Sequence, residues 1–523
     1  MDRRTFVATG ISGLVTAGAV RSYPSDAHAE GPIYVLNGIP NGKVKEAVFF
    51  PFDRKSVPFS HGLRVRLISA KQPGKGTHIV MGRGNPGDPD DMTVRFYGTV
   101  IPSGDELRMW YMAQGKAMGD GGFAIGYATS KDGKNWVKPR LGLVDYNGSK
   151  SNNLINFRGG KPSVLLMPII YDPEDPNPDR HYKMVFESPA YDFKLAVAYS
   201  PDGLNWTESP KNPVVNRALE PTGLIKFNGC YYVAGQGGWH YGPDRKIVTH
   251  ASYDFDLWTE ATCLSFQRNT PPPVMDADWN TSEEAHIGTG MWDRGNVILG
   301  VYDMWHGPKS SDRRSVVMDL GFLVGHDPLE FHEPIPNFRL VPGYEEPMVI
   351  NGVTTLPQCP LGYTVAVSHG QGMCNWGDET VLFYELWGLG DVRMASWPRD
   401  RIGCFHPLQR DPFTMHPVEG PRDSYHCITC PVEVHQRDAR VYVNADGFSE
   451  HSELRVELLD QAFRPIAGYS GTSVVPVRTG GLRTPVRWSG NDAVGEISGP
   501  FRVQVTWGGV RPEDPALYAI YVG

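Results

Sequence analysis

Acidic side chains recur in this chain at one kind of place, just before a short apolar strand. Asp88, Asp90 and Asp91 precede MTVRFYG, and Glu220 opens EPTGLIKFNG. Asp276, Asp278, Glu283, Glu284 and His286 lead into GTGMW, and Glu345 and Glu346 begin a later stretch. Carboxyl groups both give and take protons once their surroundings shift them, and two that converge on one pocket can work as acid and base. Arg158 and Lys161, in NFRGGKPSVLL, add positive charge suited to an anionic or heavily hydroxylated group. Asp172 and Asp175 fall in DPEDPNPD, which reads as a surface turn. Zinc-protease, EF-hand, P-loop and dinucleotide patterns do not occur, and no G-x-S-x-G elbow is present. Cys427 and Cys430 form a lone C-x-x-C, a weak metal or redox signal, and most of the seven cysteines read as small buried residues.

The elements that must position these residues repeat along the chain. One unit runs strand, turn, strand ending in aromatics, loop, strand ending in A-x-S, a D-G turn, then N-W. The first copy is MTVRFYGTVI, ELRMWYMAQG, FAIGYATSKDGKNWVKP; the second is SVLLMPIIYD, HYKMVFES, KLAVAYSPDGLNWTES. The third is TGLIKFNG, CYYVAGQG, KIVTHASYDFDLWTEA, and a looser fourth is GTGMWDRG, NVILGVYDMW, SVVMDLGFLVGHDPLEFHEP. The fifth reads GVTTLPQCPLG, YTVAVSHG, TVLFYELWG, VRMASWPRDRIGCFHP. Alternating apolar residues predict half-buried strands. The D-G pairs predict reversals, and Trp136, Trp206 and Trp258 fall where each can pack over its hairpin. A small sheet cannot bury both faces alone, whereas a ring of sheets buries them against neighbours. Five copies over residues 45–410 give about 70 residues each, longer than the ~40–45 of the WD type.

Composition agrees with an all-β reading. Of 523 residues, 40% are hydrophobic and 21% charged, and Gly (59), Pro (44), Trp (13) and Tyr (23) are abundant. The net charge of −8 argues against a nucleic-acid binder and against docking on an anionic membrane. After residue 411 the repeat gives way to short alternating strands such as ELRVELLD, FRVQVTWGG and ALYAIYVG, predicting a β-sandwich over 411–523. Residues 1–29 carry Arg3-Arg4, a mild apolar run and an Ala27-His28-Ala29 cleavage pattern, and resemble a twin-arginine export signal. A periplasmic or secreted location is therefore expected.

YATSKDGKNW and AYSPDGLNW, preceded by RMWYMA and RHYKMVFE, resemble the five-bladed β-propeller glycosidases, which include the invertase/levanase-like and arabinanase/xylosidase-like families. The tail from ELRVELLDQAFRPIAGYSG to ALYAIYVG resembles the C-terminal region of secreted bacterial members of that superfamily. The resemblance implies a propeller followed by a sandwich, a carbohydrate substrate, and glycosidic bond cleavage by one protonated carboxyl group and one carboxylate. It places the general acid at Glu220 and the base or nucleophile at Asp90 or Asp91. It makes Arg158, Lys161, Glu284 and His286 substrate contacts, and Trp239, His240 and Trp305 loop groups beside the sugar. Trp279 and Trp376 are further loop indoles. It requires no cofactor and allows calcium or another metal ion in the central channel. The N-D-P-N-G and R-D-P motifs of the invertase type are absent. Two other readings of the same scaffold stay open: a non-catalytic sugar-binding propeller, and a lyase or phosphorylase using Arg158, Lys161 and His286.

Overall fold

Each repeated motif closes a turn with its own side chains. In the first copy Ser130 Oγ accepts from Gly133 N–H, and Asp132 Oδ1 accepts from the N–H groups of Lys134 and Asn135. Trp136 Nε1 then donates to Gly133 O at 2.8 Å. Ser200, Asp202, Gly203 and Trp206 repeat every one of these bonds. In the third copy Ser252, Asp254 and Trp258 do the same around Phe255, which takes the glycine's place at φ +69°. That left-handed backbone disfavours a side chain, and Phe255 offsets the cost by burying its ring between Tyr199, Tyr231 and Trp258. Copies are also tied to each other, since Trp110 Nε1 of the first donates to Gly203 O of the second.

The computed structural model describes residues 31–38, 43–70, 79–119, 123–237, 245–268, 284–306, 317–343, 348–350, 353–355, 366–386, 390–408 and 425–523. Among them every regular element longer than three residues is a strand, and no helix is long and apolar enough to cross a membrane. The expected leader at 1–29 lies outside the described residues, as do Asp276, Asp278, Glu283, Glu345, Glu346, Trp239, His240, Tyr241 and Trp279.

The repeats form five antiparallel sheets, numbered in chain order. Sheet one comprises Thr93–Ser103, Glu106–Gln114 and Ala124–Ser130, with Val137 bridged to Thr129. Sheet two comprises Ile169–Tyr171, Tyr182–Glu187, Lys194–Ser200 and Thr207–Glu208. Sheet three comprises Glu220–Phe227, Cys230–Gly237, Lys246–Ser252 and Cys263–Phe266. Sheet four comprises Glu284–Asp293, Ile298–His306, Val317–Asp327 and Glu330–His332. Sheet five comprises Val367–Trp376, Glu379–Leu386, Val392–Pro398 and, from before sheet one, Ile79–Met81. The fifth repeat thus starts later than its sequence suggested. GVTT contributes instead to a separate hairpin, Met348–Ile350 with Val353–Thr355.

The first strand of each sheet packs against the first strand of the next, and that of sheet five returns to that of sheet one through a parallel Gln371–Thr99 bridge. These inner strands come very close. A Cβ at Gly223 would sit 1.8 Å from Thr289 O, and one at Gly370 would sit 2.4 Å from Gly98 O. Register shifts interrupt the inner strands of sheets one, three, four and five. Side chains lace them together: Thr222 Oγ1 donates to Ile287 O, and Gly290 N–H donates to His369 Nε2. Gln371 Oε1 of sheet five accepts from Leu224 N–H of sheet three, so its side chain crosses the axis.

The remaining strands form two larger sheets that bury one apolar cluster between them, with Val432, Val456, Val505 and Trp507 meeting Phe49, Val443, Leu517 and Ile520. The strict in–out alternation of residues 452–458 and 501–508 follows the sequence pattern. The expected boundaries at 45 and 411 need correction. Strands Ala47–Phe49, Phe59–His61 and Leu63–Leu67 pair with strands from the other end of the chain, as does Gly403–Pro407. Cys374, Cys404, Cys427 and Cys430 are buried free thiols, and Cys230 and Cys263 are half-buried free thiols.

Candidate active site

Inner strands begin, and second strands end, at one end of the ring, and that end gathers the ionisable side chains. Glu220 is the first residue of the inner strand of sheet three. Glu187 is the last residue of the second strand of sheet two, pinned by backbone hydrogen bonds in both directions with Leu165 and Leu166. Glu187 is only 6% exposed, whereas Glu220 is half-buried. Burial, and then the charge of Glu220, push the Glu187 carboxyl up to about 8. At neutral pH Glu187 therefore keeps its proton beside a second carboxyl group, the condition an acid–base pair needs. Sequence reasoning passed over Glu187. Its signal was an acidic residue directly after the apolar Met184, Val185 and Phe186 in HYKMVFES.

Beside Glu220, Gln236 faces it across the hairpin. Gln236 Oε1 lies 2.6 Å from His286 Nδ1 and also accepts from Ile287 N–H. Arg245 Nη1 lies 3.1 Å from His286 Nδ1, and Arg245 Nε stands 3.5 Å from Glu284. The Arg245 guanidinium covers the Trp305 ring at 4.1 Å, and His286 meets that ring edge-on. Glu284, His286 and Trp305 thus lie together around Arg245. Trp305 lies within a strand and is 2% exposed, so its face is spent on Arg245 rather than offered to a ligand.

Beneath these groups a buried polar network joins sheets one, four and five. Arg95 donates to Glu385 and to Tyr97 OH. Ser368 donates to Asp303 at 2.5 Å and lies 3.2 Å from Tyr97 OH. Asp303 also holds His369 Nδ1 at 2.6 Å. Burial raises the carboxyls of Asp303 and Glu385, and their partners His369 and Arg95 oppose the rise. Satisfied networks of this kind fix side-chain geometry.

The other expected site residues lie elsewhere. Asp90 is 1% exposed; its carboxylate takes Lys138 Nζ and Tyr111 OH. Asp91 accepts from the N–H groups of Gly87 and Lys116, which hold its carboxyl below the usual range. Both therefore brace the loop that enters sheet one, and a carboxylate of lowered pKa makes a weaker base. Arg158 gives two hydrogen bonds to Glu208 and a third to Ser188 Oγ, so its charge is largely offset by Glu208. Lys161 is exposed in the following turn. Asp172 is not a surface residue: it is buried against Lys226 and Tyr231 OH between sheets two and three. Among the described residues no group of three or more His, Cys, Asp and Glu is placed to hold a metal ion.

No family model and no curated protein matches the chain. Among solved structures it is similar to a glycosyl hydrolase from Bacteroides ovatus, at 18% identity and a TM-score of 0.42, over 64% of this chain and 95% of that one. It is also similar to a glycoside hydrolase family 43 arabinoxylan arabinofuranohydrolase from Bacillus subtilis, at 10% identity and TM-score 0.34, over 85% and 98% of the two chains. The family 32 β-fructofuranosidase of Bombyx mori matches at 12% identity and TM-score 0.33, over 84% and 92%.

Proposed function

We propose that this chain is a glycoside hydrolase, built as a five-bladed β-propeller followed by a C-terminal β-sandwich, and that Glu187 and Glu220 are its acid–base pair. The observation that carries the reading is the raised Glu187 carboxyl beside Glu220 at the end of the ring where the inner strands begin. Glu187, holding the proton, gives it to the leaving glycosidic oxygen. Glu220, the more exposed partner, acts as the carboxylate, on a water or on the anomeric carbon. A carboxyl separation of about 5–5.5 Å on substrate binding gives retention, and about 6.5–9.5 Å gives inversion. This reverses the role that the resemblance gave Glu220. His286 and Gln236, joined to each other, are placed to orient sugar hydroxyls beside Glu220. The lyase or phosphorylase alternative is weakened at Arg158, three of whose five N–H groups already go to Glu208 and Ser188. The propeller reading also includes export through the leader at residues 1–29, which a protein starting at Glu30 in the periplasmic fraction would support.

The test is turnover of furanosides, pyranosides and polysaccharides by the purified protein, compared with Glu187→Gln and Glu220→Gln. Each variant is expected to lose about 10²–10⁴ in kcat with its circular dichroism unchanged. Wild-type activity that persists in both variants would overturn the assignment. Sugar binding without turnover by the wild type would return the chain to the non-catalytic class.

A further inference from the structure

The larger of the two C-terminal sheets has one face on the apolar cluster it shares with the other sheet and one face turned away from it. Four of its strands lie side by side: Phe59–His61, His426–Ile428, Phe501–Gly509 and Ser452–Asp460. Directly paired residues project to the same face, so the register writes two rows across it. One row is His61, His426, Thr506 and Arg455; the other is Phe59, Ile428, Gln504 and Glu457. Every one of these side chains is half-buried or exposed, while the alternate residues Cys427, Val456 and Val505 enter the core.

The aromatic groups cluster at one edge of this face. Phe59 and Phe463 are 45% and 43% exposed and meet edge-on at 5.2 Å. The Arg502 guanidinium lies 4.3 Å from the Phe463 ring centre. The rings of His61 and His426 stack at 5.6 Å. Exposed rings held in place by a cation and by each other offer apolar faces on which a ligand can stack. The charges choose the ligand. Arg455 and Arg478 both hold Glu453, at 3.5 and 2.6 Å, Arg502 donates to the carbonyls of Thr429 and Gln461, and Glu457 accepts from Gly471 N–H, so the charges of the face are already committed to one another and to backbone rather than offered to a polyion. Half-exposed Gln504, Thr506 and the histidines supply hydrogen-bond donors and acceptors that an apolar protein partner would leave unpaired. Ring faces beside neutral polar groups suit a surface that alternates C–H patches with hydroxyls.

We infer that this sheet face, centred on Phe59 and Phe463, is a binding platform for a neutral polysaccharide, separate from the Glu187–Glu220 end of the ring. The inference rests on the glycosidase reading only in its choice of polymers. Native gels of the full chain cast with arabinan, arabinoxylan, levan, mannan or, as the polyanion, polygalacturonate provide the test. At least one neutral polymer is expected to retard the wild type and Glu220→Gln alike. Phe59→Ala with Phe463→Ala weakens that retardation at least tenfold without changing turnover of a small soluble glycoside. Phe59→Tyr with Phe463→Tyr keeps it. Thr506→Lys, a change on the outer face that leaves the core intact, weakens it as well. Retardation by polygalacturonate alone, retardation insensitive to the Ala and Lys variants, or none by any polymer overturns the inference. So does a concentration-dependent dimer that the Ala pair dissolves, which would make the face a contact between copies. If the glycosidase reading fails and Phe-dependent retardation persists, the platform stands without it.

Discussion

Glu187 shows how a single carboxyl group links function to instability. It titrates from 4.5 when unfolded to about 8 in the folded chain. Between those values the native state holds a proton that the unfolded state releases. Stability therefore falls as pH rises from about 4.5 to 8, and the full penalty applies above 8. Glu187→Gln removes this penalty. Urea midpoints of the wild type and variant are expected to be close at pH 4.5 and to separate as pH rises, the variant being more stable at pH 9 by on the order of a few kcal/mol. Wild-type kcat/KM should fall as pH passes about 8, where the acid loses its proton. Equal midpoints at pH 9 would mean that Glu187 is not strained. Half of this site was legible in the sequence. Glu220, Glu284 and His286 stood out because each opens a strand, and the fold gathers them. Glu187 did not, because it closes one, and only tertiary burial distinguishes it from an ordinary strand-end acid. Asp90 and Asp91 misled for the converse reason, since a D-P-D-D run bonds its own loop just as readily as a ligand.

At the level of elements, the inner strands decide where those carboxyls stand. Glu220 is three residues before Gly223, whose missing Cβ lets the backbone of sheet three approach that of sheet four. Gly223→Ala places a methyl group 1.8 Å from Thr289 O, a backbone atom with no rotamer to yield. The strands must separate, and the Thr222–Ile287 hydrogen bond goes with them. Overpacking of this kind costs about 1–3 kcal/mol or more. The expected result is a lower urea midpoint with an unchanged m-value, together with reduced kcat from displacement of Glu220. Full stability and activity in that variant would show that the ring tolerates expansion. The strand pattern itself was readable, because the Ser, Asp and Trp of the first three copies bond their own turns within seven residues. What the sequence concealed was the outer strand of sheet five. Ile79–Met81 is drawn from before the first repeat, and a three-residue strand acquires its identity only from the neighbour it pairs with.

At the scale of the whole molecule, the two regions are joined through apolar packing as well as through the chain. Val48, Phe50 and Phe52, from the segment before the repeats, share one buried cluster with Leu299 and Phe322 of sheet four, Tyr384 and Trp397 of sheet five, and Ala519 and Tyr521 near the C-terminus. Polar bonds cross the same surface: Val48 and Asn296 exchange two, Tyr521 OH donates to Asp400, and His326 meets Asp53 at 2.8 Å. Residues 47–67 pair with strands beyond 403, so the C-terminal sheets are assembled from both ends of the chain and enclose the repeats between them. Neither region keeps a complete core when the other unfolds, since separation would expose the Phe50–Phe52 stack and Trp397 together. Chains of this length commonly unfold domain by domain. Here the shared cluster predicts a single calorimetric transition, with calorimetric and van't Hoff enthalpies in agreement. Removing residues 411–523 is expected to yield aggregated protein rather than a soluble ring, because Ala47–Phe49 and Phe59–His61 would lose their partners and present open edges. Two resolved transitions, or a soluble and active truncation, would show that the ring stands alone and that the cluster merely docks the two parts.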